Sequence, residues 1–225
     1  MTDRLTKQQL KEDYLLTHTA EAADFVTKHG RVLVGAVVAV VVAAAVVLFV
    51  RTGSTRAEDR AAGMLVEARL DYQRGALDAA AARLEDIARN LGGTGSGKAG
   101  LLLYGDVRYA QGRYQDAEDY YRRAADAFKS DPLLKAAAHR GQAACLENLS
   151  RFAEAATIYR ELAGNAPNGV VRADLRMALA RNVLKAGNQA EAVGIYEELS
   201  HDPENPRAAQ DARLRLAEIR SVRAG

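Results

Sequence analysis

Cysteine occurs once, at Cys145, in a chain of 225 residues. That excludes an internal disulfide framework and any paired-thiol metal site. Tryptophan is absent and proline occurs four times, so little interrupts helices. An excess of basic charge is missing too: 31 Lys and Arg stand against 29 Asp and Glu. Such a balance leaves no electrostatic footprint for nucleic acid. The four histidines, His18, His29, His139 and His201, include no i, i+4 pair and give no helical metal site. No G-x-S-x-G nucleophile motif occurs. Paired carboxylates such as Asp116, Glu118 and Asp119 fall on a helix whose exposed face is expected to be charged. The sequence therefore predicts no catalytic residue, no metal, no cofactor, no small-molecule substrate and no nucleic-acid partner.

One stretch is fully apolar. Residues 32–50 read VLVGAVVAVVVAAAVVLFV, nineteen residues without a charge. As a helix they rise about 28 Å, close to the hydrocarbon thickness of a bilayer. Arg31 and Arg51 bracket the run at headgroup level. A buried core helix is the other reading, but runs of 18 or more apolar residues are the membrane signature. Residues 1–31 mix acids (Asp3, Glu12, Asp13, Glu21, Asp24) with bases (Arg4, Lys7, Lys11, Lys28, Arg31). They are too long and too mixed for the start of a secretory signal, and no cleavage site or lipidation cysteine follows the run, so the expectation is an uncleaved anchor. Leu5, Leu10, Leu15 and Leu16 outline a short amphipathic helix; a solvated tail fits equally. Local charge counting sets Lys28 and Arg31 against Arg51, Arg56, Arg60 and Arg69, which favours the C-terminal domain inside the cell. Long domains, however, translocate largely regardless of such charges.

The rest is a repeat. QRGALDAAAARLEDI (73–87), AQGRYQDAEDYYRRA (110–124), NLSRFAEAATIYREL (148–162) and KAGNQAEAVGIYEEL (185–199) align at spacings of 37, 38 and 37. Each has a turn residue (Gly75, Gly112, Ser150, Gly187), then an alanine (Ala80, Ala117, Ala155, Ala192), then a large side chain (Leu84, Tyr121, Tyr159, Tyr196). The turn residue closes one helix and reverses the chain. The alanine sits where antiparallel helices cross closely. The large side chain, four residues on, shares that face and fills the gap to the next repeat. Gly105, beside Leu101, Tyr104 and Val107, is a close-contact position on a first helix.

This pattern resembles the tetratricopeptide repeat, a helix–turn–helix unit of 34 residues. The match is best over 98–131, at Gly105, Gly112, Tyr114, Ala117, Tyr121 and Ala124, and weakest in the first repeat, where Met64 and Glu67 replace larger apolar residues. The fold class expected is all-α. An N-terminal transmembrane helix (32–50) follows a tail (1–31) and precedes an α-solenoid (56–222). The solenoid divides into repeats at about 61–97, 98–135, 136–172 and 173–206 and a capping helix at 207–222. The longer period predicts longer loops between repeats, with LGGTGSGK (91–98) as one. That loop also fits G-x-x-x-x-G-K. It ends in Ala99, where a P-loop needs Ser or Thr for Mg²⁺, and a helix precedes it where a P-loop needs a strand.

The resemblance implies that the first helices line a concave groove. Its motif positions give Leu65, Arg69 and Tyr72 in repeat one, and Leu102, Asp106 and Tyr109 in repeat two. Repeat three supplies Arg140 and Glu147; repeat four supplies Met177, Arg181 and Lys185. This mixture suits an extended or helical peptide, whereas the Lys/Asn/Arg set that grips chaperone carboxyl termini in some members is absent. Tail (with LKED at 10–13), anchor and repeats together are similar to the ancillary subunit of the Sec translocon in the bacterial inner membrane. That likeness implies a single-pass protein with a cytoplasmic N-terminus and a periplasmic repeat domain. Its expected role is a membrane-tethered scaffold of the cell envelope that binds translocon components, envelope proteins or exported chains. An adaptor in envelope assembly or cell division shares every one of these features. The nucleotide-binding enzyme has only residues 92–98 as a foothold.

Overall fold

The computed structural model describes residues 40–43, 45–46 and 51–224 and divides the chain into two units, 1–55 and 56–225. In the first unit, residues 40–43, 45–46 and 51–55 are helical. Val40, Val41, Val42 and Val46 are each more than half exposed. Most of the expected membrane span, and all of the tail, lie outside the described residues. Among the described residues no helix is long and apolar enough to cross a membrane.

The second unit is all-helical. Its elements are α1 (residues 56–73), α2 (Leu77–Asp86) running into a π-helical turn (Ile87–Leu91), α3 (Gly95–Ala110), α4 (Tyr114–Ala127), α5 (Pro132–Asn148), α6 (Phe152–Gly164), α7 (Gly169–Lys185), α8 (Gln189–Ser200) and α9 (Pro206–Ala224). From α2 onward each helix packs on the next, and some successive first helices also meet, α3 with α5 and α7 with α9. This is the stacking of an α-solenoid.

Within each hairpin the turn residue sits in the left-handed region: Gly75, Gly112 and Gly187 have φ of 77°, 73° and 94°, and Ser150 has 59°. The conformation lets backbone amides past the helix end find carbonyls of its last turn, as Arg113 N does with Arg108 O at 2.9 Å. The four repeat alanines are completely buried, and Leu84, Tyr121, Tyr159 and Tyr196 are buried beside them.

Between hairpins the expectation of long loops fails. The connections span residues 92–94, 128–131, 165–168 and 201–205, and the extra length of the period lies in the helices, with 16 residues in α3 and 17 in α5 and α7. Caps enforce the phase. The Thr94 hydroxyl accepts from Gly97 N, the Asp131 carboxylate from Leu133 N and Leu134 N, and the Asn168 side chain from Val171 N. These three caps recur every 37 residues, and α3, α5, α7 and α9 start at the same interval. The stretch Gly95–Lys98 is therefore the first turn of α3. Its glycines serve close approach: a Cβ on Gly97 would lie 1.8 Å from Leu91 O, and one on Gly100 2.7 Å from Ile87 Cγ2.

Each first helix also offers a stacking face to the preceding second helix, at positions twelve, nine and five residues before its turn. In α3 these are Gly100, Leu103 and Val107, and in α5 Ala138, Gly141 and Cys145. In α7 they are Leu175, Ala178 and Asn182. Most are buried and all are at least half-covered. Tyr121 shows how tight the seam is: its ring lies 2.7 Å from where Gly105 would carry a Cβ and 2.5 Å from the same point on Gly141.

α9 closes the C-terminal end. It occupies the place of a fifth first helix, with Ala208, Ala209, Ala212 and Leu216 buried and Ile219 packed beside them. The side that a further helix would cover is polar, with Gln210, Arg213 and Arg220 exposed. Arg213 bends back to donate from Nε and Nη2 to Ser200 O at 3.1 and 2.8 Å. In the first repeat Arg83 on α2 pairs with Asp71 at 2.9 Å and with Glu67, both on α1.

Candidate groove on the first helices

The side chains ten, six and three residues before each turn fall on one face of the first helix. Ten before, the row reads Leu65, Leu102, Arg140, Met177; six before, Arg69, Asp106, Ala144, Arg181; three before, Tyr72, Tyr109, Glu147, Leu184. Every one of the eleven groove candidates is half-buried or exposed. Lys185 stands apart from the rows. Its Nζ lies 5.0 Å from the Phe152 ring centre, at the turn end of the hairpins beside Ser150 and Arg151.

Hydrogen bonds tie the face together across repeats. Asn148 Nδ2 donates to the Tyr109 hydroxyl at 2.9 Å, and Tyr109 meets Tyr114 edge-on at 5.2 Å between ring centres. Glu147 accepts from Asn182 Nδ2 at 2.7 Å and from Arg181 at 3.3 Å. Burial raises the pKa of the Tyr159 hydroxyl above the ordinary tyrosine value, and the Glu147 charge adds to the rise. Asn182 is fully buried; its Nδ2 also donates to Ala178 O, and its Oδ1 has no partner among the described residues. Arg69 and Arg140 form no ion pair among the described residues.

Asp106 accepts a hydrogen bond of 2.7 Å from the Tyr121 hydroxyl. Burial holds its carboxyl above the usual aspartate value, and the Tyr121 bond pulls in the opposite direction. Cys145 is fully buried beside Ala117 and Tyr121. Burial, then Glu118 and Asp106, push its thiol up to about 12, which leaves it an inert packing group.

The groove extends past the residues legible in the motif. Met177, Arg181, Tyr196, Asp211, Leu214, Arg215 and Glu218 line a recess of about 160 Å³ between α7 and α9. Met177 also borders a recess of about 380 Å³ with Val170, Asp174, Glu204 and Arg207. Leu214, 58% exposed, continues the apolar row 37 residues after Met177, and Glu218 continues the charged row 37 after Arg181. That spacing was the available signal. A larger hollow, about 670 Å³, lies at the turns Gly75–Ala79 beside Gln111 and Arg113. It brings together backbone and three polar side chains from the turn end, away from the rows.

The glycine-rich stretch holds no vacant phosphate cradle. Gly95 N and Ser96 N donate to the Glu58 carboxylate at 2.7 and 2.9 Å, and Ser96 Oγ donates to it at 2.6 Å. These bonds lower the Glu58 pKa, the Ser96 hydroxyl most. The helix N-terminus thus already has its anion. Among the described residues no group of three or more His, Cys, Asp or Glu is placed to hold a metal ion.

A family model described as tetratricopeptide repeat matches residues 65–132 and 105–170. Two solved structures share the fold. The kinesin light chain tetratricopeptide-like repeats of Podosopora anserina are 16% identical, over 74% of this chain and 88% of that one, with a TM-score of 0.58. BtubC from P. vanneervenii is 14% identical, over 73% of this chain and 65% of that one, with a TM-score of 0.52. No sequence among curated proteins matches the chain. The helices of this unit form a tetratricopeptide-like solenoid, an architecture whose curved face binds other proteins.

Proposed function

We propose that the chain is a membrane-tethered scaffold whose groove on the first helices binds a segment of a partner protein. One observation carries this reading. The row Leu65, Leu102, Met177 and Leu214 is apolar on α1, α3, α7 and α9, interrupted by Arg140 on α5, and lies beside the charged row Arg69, Asp106, Arg181 and Glu218, interrupted by Ala144 on α5. An apolar strip flanked by fixed charges suits an amphipathic helix or extended segment, with the strip supplying affinity and the charges setting register. The membrane tether rests on the apolar run at 32–50 and on the exposure of Val40, Val41, Val42 and Val46, side chains that hydrocarbon would cover. The likeness of tail, anchor and repeats to the ancillary subunit of the Sec translocon supports an inner-membrane protein. In that arrangement residues 1–31 are cytoplasmic, the repeats are periplasmic, and the partners are translocon or envelope proteins and exported chains.

Two experiments test the reading. Protease added to spheroplasts digests a C-terminal epitope tag if the repeats are periplasmic; a tag protected together with a cytoplasmic control reverses the orientation. Crosslinking in native membranes, followed by identification of the neighbours, then places the protein. Translocon subunits and exported chains support the proposal. A neighbourhood of cell-wall or division proteins would replace it with an adaptor role in envelope assembly.

A further inference from the structure

The first helix of the solenoid carries a stacking face with nothing stacked on it among the described residues. The positions that α3, α5 and α7 cover with the preceding second helix are, in α1, Gly63, Val66 and Leu70. Val66 is 60% exposed and Leu70 43%, and nothing approaches within 4 Å of where Gly63 would carry a Cβ. The C-terminal end of the stack differs, because α9 presents polar side chains outward. An end that is apolar at helical spacing has the pattern of an interface.

We infer that this face pairs with the same face of a second copy, α1 against α1 and antiparallel. Two features of α1 commit it to itself. First, the face is self-complementary in shape under one two-fold axis between residues 66 and 67. That axis sets Leu70 of each copy over Gly63 of the other, a large side chain over an open glycine, with Val66 and Glu67 flanking the axis. Second, it is self-complementary in charge under the same axis. Asp59, in the first turn of α1, and Arg74, in the turn that follows α1, lie on the same stripe, about 22 Å apart along its axis. Both are exposed and neither has an ion pair or side-chain hydrogen bond among the described residues. The two-fold places each Asp59 against the other copy's Arg74. A parallel pairing would set Asp59 against Asp59 and Arg74 against Arg74, which is repulsive. An isologous contact of this kind closes on itself and leaves the groove of each copy free. A single helix pair is smaller than a standard interface of about 1,600 Å², so the pairing is weak and reversible.

The test uses the full chain in its membrane, with Val66→Cys and a short bismaleimide. The sole native thiol, Cys145, is buried, so the parent chain is the blank. The expected result is a crosslinked band at twice the chain mass from Val66→Cys and none from the parent. Adding Asp59→Arg is expected to lower the yield several-fold, and adding Arg74→Asp to that variant to restore it. All three positions are exposed, so the fold is not at stake. Absence of a doubled band, an adduct only with some other protein, or a yield indifferent to the charge reversal would each overturn the pairing.

Discussion

The Tyr121 hydroxyl donates a 2.7 Å hydrogen bond to the Asp106 carboxylate, joining the second helix of one repeat to the groove face of its own first helix. The ring that delivers it is wedged between Gly105 and Gly141, so one side chain welds two repeats and positions a groove acid. An added methyl at either glycine would lie within 2.7 Å of that ring. Gly105→Ala and Gly141→Ala are each expected to destabilise the unit by about 1–3 kcal/mol. Gly63→Ala, which meets nothing within 4 Å, is expected to be neutral or to stabilise by up to about 1 kcal/mol through helix propensity. Urea midpoints check the contrast; equal midpoints would mean that the Tyr121 seam is not tight.

The turns give an opposed pair. Gly112→Ala forces a Cβ into the left-handed region at φ 73° and is expected to cost about 1–2 kcal/mol. Ser150 already bears that strain at φ 59°, so Ser150→Gly is expected to gain up to about 1 kcal/mol, the relief exceeding glycine's greater unfolded freedom. Denaturation midpoints that move in the same direction for both variants would contradict the turn assignment.

Two carboxylates titrate in opposite senses. The Asp106 pKa is raised in the folded chain, so the folded state holds its proton more strongly. The stability it contributes in the acid form is lost as pH rises from the unfolded value, about 3.9, through the folded one. Asp106→Asn keeps an acceptor for Tyr121 and removes that loss; its stability relative to the parent is expected to be greater at pH 7 than at pH 3. Glu58 is lowered, so its contribution is full above the unfolded glutamate value and lost as pH falls through the folded one. Amide exchange at Gly95 and Ser96 is expected to accelerate on acidification over that range, and in Glu58→Gln at neutral pH. Linkage slopes of the reverse sign would contradict both environments.

Much of this fold was legible because the repeat imposes the same physical demand four times. Ala80, Ala117, Ala155 and Ala192 had to be small at the helix crossing, and all four are fully buried. The glycine cluster misled because composition cannot separate a flexible loop from a tightly packed helix start. Gly97 is excluded from bearing a side chain by Leu91 O, and the anion on α3 is Glu58, 37 residues away. In the groove, motif positions ended with the fourth turn, so Leu214 and Glu218 on α9 and the buried Asn182 went unread. The 37-residue interval carries the first two. Asn182 is an interior polar group that only the packing of α7 against Glu147 explains.

The most direct measurement of the central account is site-specific photocrosslinking in living cells. A photoreactive side chain at Leu102, Met177 or Leu214 lies on the groove rows; one at Arg122 or Thr157 lies on exposed positions of the second helices α4 and α6. The account predicts discrete protein adducts from the three groove positions, reduced by Arg181→Glu beside Met177, and none from the two outer ones. Adducts confined to Arg122 and Thr157, or no adduct from any groove position, would contradict it.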